Sequence, residues 1–519
     1  MATRRSPTPS RRWWLPAAAA LAFVAAVLAL RPSAPTAANQ LAGVAMVAAG
    51  GDHTCALLTT GGVECWGANH YGELGDGTTT DRGKPVAVSG LSSGVAAVAA
   101  GSNHTCALLT SGAAKCWGYN RYGQLGNGAA TGADSPNPTP VDVSGLASGV
   151  VAITAGGAHT CALLDTGGVK CWGWNRRGQI GDGQDCSTGQ CRRLVPSDVT
   201  GLASGAVAID AGIYHNCAVL STGGVACWGQ NDSGQLGTAT SSPCVDEQLV
   251  PLACAPTPVV VPGLSGVTGI AAGEAHSCAL LAAGGVKCWG SNASGQLGDG
   301  GVCGATCGSP VDVSGLPAAA AIEAGNQHTC AIAQAQGVVS CWGANGLGQL
   351  GAGDSPNGAL SPVEVCAEAS CAPICIPELP CGPLSGIDAI ALGRNHSCAV
   401  TGTQQLRCWG DNALGQLGDS QGCGTACDTP NDVLTVKGAP TATATVAPTP
   451  TPTPARLAGD ANCDGGVNSI DALLVLQYVA ALLGSLPCPA NADVNGGGVS
   501  AIDAALILQY VAGLLPSLP

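Results

Sequence analysis

The sequence predicts an all-β seven-bladed propeller followed by a small all-α domain of two calcium loop–helix units. Three observations lead to this fold class. A tract of the form [A/L]-G-x-x-H-[T/S/N]-C-A recurs seven times between His53 and His396, with a mean spacing of about 57 residues. Each tract belongs to a unit with four short strand candidates. Residues 457–519 contain a separate duplication with an offset of 32 residues.

The composition fits many short strands better than one helical core. The 519 residues include 78 glycines but only two methionines and one phenylalanine, which is typical of small sheets joined by tight turns. The chain carries 33 acidic and 19 basic side chains, so its net charge is −14. Because nucleic-acid binding needs a basic surface, we expect no nucleic-acid partner.

Residues 1–38 have the pattern of a targeting segment. Four arginines in "MATRRSPTPSRRWW" precede the 16-residue apolar run "LPAAAALAFVAAVLAL". A membrane-spanning helix needs about 20 residues, so this run favours a cleaved signal peptide. An uncleaved signal anchor is the alternative, and only then would the chain attach to a membrane. We therefore expect a secreted or cell-surface protein.

Residues 39–437 contain the seven repeats. The four strand candidates of the first repeat are "VAMVAA", "TCALL", "VECWG" and "PVAV", with glycines at the junctions. Four strands per unit, repeated seven times, predict a closed ring of small sheets that leaves no open sheet edge. The repeats differ in length mainly between the "GQLG" tract and the next "PVxVSGL" strand, so the extra residues are loops on a constant scaffold.

The tract "HTCAL…GGVxCWGxNxxGQLGDG" resembles the regulator of chromosome condensation repeat, and the match covers residues 43–437. Members of that family form seven-bladed β-propellers, so the resemblance implies the same fold. A cysteine pair in every repeat and the N-terminal signal make the chain similar to exported bacterial members. The signal also argues against guanine-nucleotide exchange, which the nuclear members perform on a small GTPase.

Each repeat holds two cysteines that flank a hairpin turn, with nine residues between them in six repeats and ten in the sixth. Directly opposed residues on antiparallel strands lie within reach of a disulfide, and export favours oxidation. The alternative is a metal site with the adjacent histidine, which would require ligands that converge. The predicted disulfides are Cys55–Cys65, Cys106–Cys116, Cys161–Cys171, Cys217–Cys227, Cys278–Cys288, Cys330–Cys341 and Cys398–Cys408.

The histidine and the tryptophan of the repeat are predicted to be structural. A catalytic residue is normally unique, whereas this histidine occurs in every unit, so we expect a buried imidazole bonded to the backbone. The tryptophan after the second cysteine is expected to pack between blades. Twelve more cysteines occupy the long loops, where disulfides are favoured and a four-cysteine zinc site is the alternative for residues 366–381. They are Cys186/Cys191, Cys244/Cys254, Cys303/Cys307, Cys423/Cys427 and Cys366, Cys371, Cys375 and Cys381, the last four with open connectivity.

The residues after each "CWG" vary between repeats. They read "ANHY", "YNRY" and "WNRR" in the first three repeats, and "QNDS", "SNAS", "ANGL" and "DNAL" in the others. Tyrosine and arginine anchor many interfaces, and aromatic faces stack on sugars or cations. We therefore hypothesise a protein- or glycan-binding sector on blades one to three. The alternative is that Tyr71 and Tyr122 merely follow the family pattern. The sector comprises His70, Tyr71, Tyr119, Arg121, Tyr122, Trp174, Arg176 and Arg177.

Residues 438–456 form a Thr/Pro-rich linker, which alternating prolines keep extended. In residues 457–519, "SIDALLVLQYVAALLGSLP" and "AIDAALILQYVAGLLPSLP" are apolar helices, each preceded by an acidic loop. The first loop has oxygen ligands at positions 1, 3, 5, 9 and 12 and glycine at position 6, which suits Ca²⁺; an Asx-rich turn is the alternative. The second loop is shorter and lacks the fifth-position acid. The predicted ligands are Asp460, Asn462, Asp464, Asn468 and Asp471, with Asp493, Asn495 and Asp503 as a weaker set.

This tail resembles a dockerin domain, which binds cohesin modules in some bacterial surface complexes. The resemblance implies calcium-dependent docking to a cohesin-like protein, with Ser469 and Ile470 helping to choose the partner. We also expect Cys463 and Cys488 to pair.

The sequence thus predicts an exported, non-catalytic binding or scaffold protein. The alternative is a polysaccharide-active enzyme, or an accessory module of a polysaccharide-degrading complex. Hydrolysis of a polysaccharide would require an acid pair or a base in a cleft. The acids found in the repeats, such as Glu64, Asp210, Glu274 and Glu323, are scattered singly along the sequence.

Overall fold

The computed structural model describes residues 40–434, except 133–134, 185–190, 241, 246–250, 354–357, 368–381 and 420–423. The chain divides into two units, residues 1–439 and 440–519. The predicted signal, the linker and the calcium-binding tail, including Cys463 and Cys488, lie outside the described residues. Among the described residues there is no helix with the length and hydropathy that a membrane span requires.

The described chain forms seven antiparallel sheets arranged as blades, so the predicted all-β seven-bladed propeller is confirmed. Blade 1 consists of β1 (Val44–Ala49), β2 (His53–Leu58), β3 (Val63–Gly67) and β4 (Arg82–Ala87). Blade 2 consists of β5 (Val95–Ala100), β6 (His104–Leu109), β7 (Ala114–Gly118) and β8 (Val141–Asp142). Blade 3 consists of β9 (Val150–Ala155), β10 (His159–Leu164), β11 (Val169–Trp174) and β12 (Arg192–Asp198). Blade 4 consists of β13 (Ala206–Ala211), β14 (His215–Leu220), β15 (Val225–Gln230), β16 (Ser242–Val245) and β17 (Pro251–Val260).

Blade 5 consists of β18 (Val267–Ala272), β19 (His276–Leu281), β20 (Val286–Ser291) and β21 (Thr306–Asp312). Blade 6 consists of β22 (Ala319–Ala324), β23 (His328–Ala333), β24 (Val339–Gly343) and β25 (Ala359–Glu364). Blade 7 consists of β26 (Ile387–Leu392), β27 (His396–Thr401), β28 (Leu406–Asp411) and β29 (Ala426–Asp432). Six blades follow chain order, and in blade 4 the extra strand β16 pairs outside β17.

The first strand of every blade lines a central channel, with a cavity of about 420 Å³. The ring is closed by the residues that precede β1. Gln40 pairs with Leu434 and Ala42 pairs with Gln405 of the last blade, while the Leu41 amide donates to the Val433 carbonyl at 2.9 Å. The two ends of the described chain are therefore tied to each other, which resists opening of the ring between its first and last blades.

Each blade contains the predicted disulfide between its second and third strands. The two cysteines of a pair are directly opposite in register, and their Cα atoms lie 4.0–4.1 Å apart. All fourteen are buried, and they pack with the tryptophan of the next blade, as Cys55 and Cys65 do with Trp117. Sulfur thus supplies core volume that phenylalanine and methionine supply elsewhere.

Two of the predicted loop disulfides also form, Cys244–Cys254 and Cys303–Cys307. Cys191 and Cys427 are disulfide-bonded, and their predicted partners lie outside the described residues. Cys366 forms a backbone bridge with Pro383, whereas Cys371, Cys375 and Cys381 lie outside the described residues. The pairing within residues 366–381 therefore stays a prediction.

One backbone carbonyl organises each interface between blades. The Glu73 carbonyl of blade 1 accepts from Trp117 Nε1 at 2.7 Å and from Thr105 Oγ1 at 2.8 Å, both in blade 2. Thr105 Oγ1 lies 2.9 Å from Nε2 of His53, back in blade 1. Because the hydroxyl gives its proton to the carbonyl, it accepts from His53, which fixes the imidazole as the Nε2–H tautomer. A buried three-residue chain of hydrogen bonds therefore joins the two blades.

The same arrangement recurs at all seven interfaces, so the predicted inter-blade packing of the tryptophans is confirmed. The prediction that the histidine bonds the backbone is wrong, because its partner is a side chain of the following blade. Threonine or serine fills that place at six interfaces, and Asn216 fills it once. The pairs are His53–Thr105, His104–Thr160, His159–Asn216, His215–Ser277, His276–Thr329, His328–Ser397 and His396–Thr54, at 2.8–3.0 Å.

The seven repeated histidines are uncharged at neutral pH. Each is fully buried, and its Nδ1 atom has no hydrogen-bond partner. Loss of solvation on burial lowers their pKa values to about 3 or 4. Protonation would place a charge inside an interface that offers Nδ1 no acceptor.

Replacing Cys106 and Cys116 by alanine should lower the free energy of unfolding by roughly 2–3 kcal/mol, because the unfolded chain regains loop entropy. Cys303→Ala with Cys307→Ala is the matched control, since those cysteines are separated by only 4 positions in the sequence and are half-buried, whereas Cys106 and Cys116 are fully buried. Urea unfolding followed by tryptophan fluorescence measures both. An equal or larger loss in the control would contradict a structural role for the blade disulfides.

The propeller should lose stability as the pH falls from 6.5 towards 4. In that window the histidines of the unfolded chain bind protons and those of the folded propeller do not. The unfolded state can therefore bind up to seven more protons at these positions, which stabilises it relative to the folded state. Glu73, Asp210 and Glu323 act in the opposite sense, because burial raises their pKa values to about 7, 6 and 8. We expect the urea midpoint to decrease with a net uptake of several protons. A midpoint that stays constant over this window would refute neutral buried histidines.

Candidate functional site

The turn after each "CWG" has one backbone geometry in all seven blades. In blade 1 the Leu74 amide donates to Asn69 Oδ1 at 3.0 Å, and the Tyr71 amide donates to Glu73 Oε2 at 2.8 Å. Equivalent bonds recur in the other six blades. Gly75 closes the turn with φ +67°, and a Cβ there would lie 2.8 Å from Trp117 Nε1. Residues that vary between repeats are thus displayed on a constant backbone.

Five aromatic side chains from blades 1–4 form a continuous row, called here the aromatic arc. The ring centroids of Tyr71 and Tyr119 are 4.4 Å apart, and those of Tyr119 and Tyr122 are 6.3 Å apart. Trp174 lies 5.5 Å from Tyr122 and 5.6 Å from Tyr214. Of the six tyrosines in the sequence, the four between residues 40 and 434 all belong to the arc. Rings needed only for the scaffold would recur around the propeller, and these do not.

Two arginines pack against the arc. The Arg177 guanidinium carbon lies 4.1 Å from the ring centroid of Tyr214 and 5.7 Å from that of Trp174. Arg177 also donates a hydrogen bond to the Gln230 side chain, and this bond helps to position its guanidinium over Tyr214. Arg121 lies 5.6 Å from the ring centroid of Tyr122. These distances suit cation–π attraction, which fixes the orientation of the rings.

The structure brings six of the eight predicted sector residues into this arrangement. His70 instead lies 3.7 Å from Asp81, with 65% of its side chain exposed, and Arg176 is half-buried. Trp174 is only 6% exposed, so it forms the base of the arc, while the tyrosines are half-buried around it. The six are Tyr71, Tyr119, Arg121, Tyr122, Trp174 and Arg177.

Tyr214 is the residue that the sequence reasoning missed. It comes from the loop between the first and second strands of blade 4 and not from the turn after "CWG". Among the seven residues that directly precede the repeated histidines, it is the one aromatic side chain, which is the signal that could have identified it.

The loops on this face enclose a cavity of about 400 Å³, called here the mouth cavity. One wall consists of Tyr119, Tyr122, Trp174 and Tyr214 of the arc. Glu274, Asn326 and Arg394, from the equivalent loops of blades 5–7, also line it. Ser102, Asn103, Gly157, Ala158 and Ile213 complete the lining. The cavity therefore combines aromatic surface with amide, carboxylate and guanidinium groups.

A ring of glycines narrows the channel next to the mouth cavity. Gly51 N donates to Gly101 O, and Arg394 N donates to Gly50 O, both at 3.1 Å. A Cβ on Gly50 would lie 2.6 Å from Gly101 O and 2.4 Å from the His53 ring, so a larger residue does not fit. The space within this constriction is only about 70 Å³.

Two acids line the channel on the other side of the constriction. Asp210 and Glu323 both line the 420 Å³ cavity, opposite Cys217 and Cys330 of their own blades. Asp210 accepts from Thr154 Oγ1 at 3.0 Å and from the Ala272 amide at 2.8 Å. Burial raises the pKa of both, and the charge of Asp210 raises that of Glu323 further. These two acids, which are scattered singly along the sequence, thus line the same cavity.

Neither acid forms part of a metal site. Over the described part of the chain, no group of three or more histidine, cysteine, aspartate or glutamate side chains is placed to hold a metal ion. The predicted calcium ligands lie outside that part.

Comparisons with known proteins identify both parts of the chain. A family model described as an RCC1-like domain matches residues 27–375, and one described as a regulator of chromosome condensation (RCC1) repeat matches residues 387–416. A model of the dockerin type I domain matches residues 458–512.

Individual relatives include the ultraviolet-B receptor UVR8 of Arabidopsis thaliana, 28% identical over 76% of this chain and 83% of that protein. The human E3 ubiquitin-protein ligase HERC2 is 33% identical over 45% of this chain, which is 5% of its own length. Among solved structures, yeast RCC1 (Prp20) bound to Kap60 gives a TM-score of 0.58 at 22% identity, over 78% of this chain and 89% of that chain. The structure of human WBSCR16 gives a TM-score of 0.59 at 20% identity, over 72% of this chain and 94% of that chain. These two structures share the fold.

Proposed function

We propose a function from the premise that this chain belongs to the family of proteins with an RCC1-like domain, whose model matches residues 27–375. The protein acts as an exported, non-catalytic binding module. Its propeller presents a ligand-binding face, and its tail attaches it to a larger assembly through calcium-dependent docking to a cohesin-type partner.

The observation that carries this proposal is the combination of two parts in one chain. A dockerin type I domain is a protein-docking unit, and here it follows a propeller with an aromatic arc on one face. Tyrosine, tryptophan and arginine are the side chains most often found at the centre of binding interfaces. The presence of a propeller and a dockerin domain in one chain therefore supports a protein that binds a ligand through the propeller and attaches it to an assembly through the tail.

The donor set of the tail suits calcium. Asp460, Asn462, Asp464, Asn468 and Asp471 supply hard oxygen ligands at the spacing of a calcium loop, with Gly465 at its bend. Dockerin type I domains generally bind calcium, and the ion would hold the first loop in one conformation. Ser469 and Ile470 then lie where the family resemblance expects partner choice.

The disulfides support export. Dockerin domains and numerous disulfides are typical of extracellular proteins, and every blade of this propeller contains a buried bridge. Residues 1–38 would supply the signal peptide, and a membrane attachment would arise only if that segment were retained.

An enzymatic role is the second candidate, because Asp210 and Glu323 share one channel. The glycine constriction lies between these acids and the mouth cavity, and neither acid lines the mouth cavity. A polysaccharide bound on the aromatic face would therefore occupy a different cavity from the two acids. This separation favours binding over catalysis at that face.

The docking role predicts calcium-dependent binding of the full-length chain to a cohesin module. Biolayer interferometry against a panel of immobilised cohesin modules should detect binding in millimolar calcium. Excess chelator should abolish it, because the first loop loses its central ion. Asp464→Ala should weaken binding at least tenfold.

Asp493→Ala is the matched comparison in the weaker second loop, and it should have the smaller effect. Equal binding with and without calcium would refute the docking model, and a larger loss in Asp493→Ala than in Asp464→Ala would contradict the assignment of the first loop as the stronger calcium site.

A further inference from the structure

We infer that the mouth cavity binds a neutral carbohydrate, either the end of a glycan or a short oligosaccharide. This inference rests on the proposed binding function of the propeller face and specifies its ligand. It extends the predicted sector to residues of blades 4–7 that the sequence did not indicate.

The shape of the site suits a small ligand or a chain end. Its volume of about 400 Å³ lies within the range of 300–1,000 Å³ that is usual for ligand pockets. It is concave and formed by loops from several blades, all held by the hydrogen-bonded interfaces described above. The site is therefore formed before any ligand arrives.

The chemistry of the lining suits a sugar ring. A pyranose has apolar C–H faces and a belt of hydroxyl groups that both donate and accept hydrogen bonds. Tyr119 and Tyr122 offer half-buried aromatic surface to the C–H face. Asn103 and Asn326 each offer an amide that can donate and accept, and Glu274 adds an acceptor. The apolar faces and the hydroxyl groups of a sugar ring thus both have complementary groups in the lining.

The charges in the cavity favour a neutral ligand. Glu274 and Arg394 carry opposite charges, and Arg394 is paired with Asp52 at 2.9 Å. Arg177 covers one face of the Tyr214 ring, at 4.1 Å from its centroid, and does not itself line the cavity. The charged side chains of the lining are thus one carboxylate and one guanidinium, whose formal charges sum to zero, and the guanidinium is already paired.

The surface around the mouth cavity argues against a protein partner as the occupant. A protein–protein interface usually covers about 800 Å² on each partner, so it would have to extend well beyond this pocket onto the surrounding exposed side chains. The large apolar side chains that are exposed among the described residues lie elsewhere on the propeller, and none lines the mouth cavity. They are Val151, Val195, Val207, Val260, Val302, Leu347 and Leu360.

The test uses the full-length chain with calcium and a panel of neutral hexose oligosaccharides, with uronic-acid and amino-sugar oligosaccharides as charged comparisons. Isothermal titration calorimetry should detect a neutral sugar. Tyr119→Ala with Tyr122→Ala should weaken its binding at least tenfold, because the stacking surface is lost. Leu347→Ala is the matched control, since it occupies the turn position of Tyr122 in blade 6 and should leave binding unchanged.

If the double alanine variant fails to fold by circular dichroism, two milder changes replace it. Glu274→Gln should weaken binding severalfold by removing a charged acceptor, and Tyr119→Phe with Tyr122→Phe should retain most of the affinity. An equal loss in Leu347→Ala, or selective binding of the charged sugars, would overturn the inference.

Absence of binding to every sugar in the panel would also overturn it. If cohesin docking persists in that case, the failure is confined to the ligand class and the docking function stands. Capture of a protein through Tyr119 and Tyr122 without sugar binding would assign the face to a protein and refute the carbohydrate inference.

Discussion

The propeller depends on one main-chain carbonyl at each blade interface. That oxygen accepts from the tryptophan and the hydroxyl of the next blade, and the histidine of its own blade completes the chain through the hydroxyl. A carbonyl can accept twice only if the turn that presents it has one conformation. The Asn and Gln side chains of the turn, with Glu73 in place of Gln in blade 1, impose that conformation, which explains why the whole tract recurs and not only its apolar residues.

The second constraint is the small amount of aromatic and methionine side chain available for a core. Each blade interface is filled by a disulfide, the neighbouring tryptophan and small aliphatic residues, as around Cys330, Cys341 and Trp409. These sulfurs are therefore both covalent links and packing atoms of the core. Numerous disulfides of this kind are typical of extracellular proteins.

Features that recur in every repeat could be predicted, and those set by pairings between particular residues of different blades could not. The hairpins and their disulfides follow from spacing within a repeat, and the grouping of Tyr71, Tyr119 and Tyr122 follows from the same turn recurring in consecutive repeats. The partner of each histidine, the place of Tyr214 and the presence of Asp210 and Glu323 in one cavity depend on which loops and strands the closed ring brings together. Pattern analysis of one repeat contains no information about its neighbour in space.

The shared turn has a consequence for how such a surface diversifies. Its recurring hydrogen bonds use the Asn, the Gln (Glu73 in blade 1) and backbone atoms, and not the side chains of the two residues that follow the Asn. Four blades currently present small, acidic or aliphatic groups at those places. Substitution of a few variable turn residues in one blade can therefore change the ligand specificity of that blade, while the propeller scaffold stays the same.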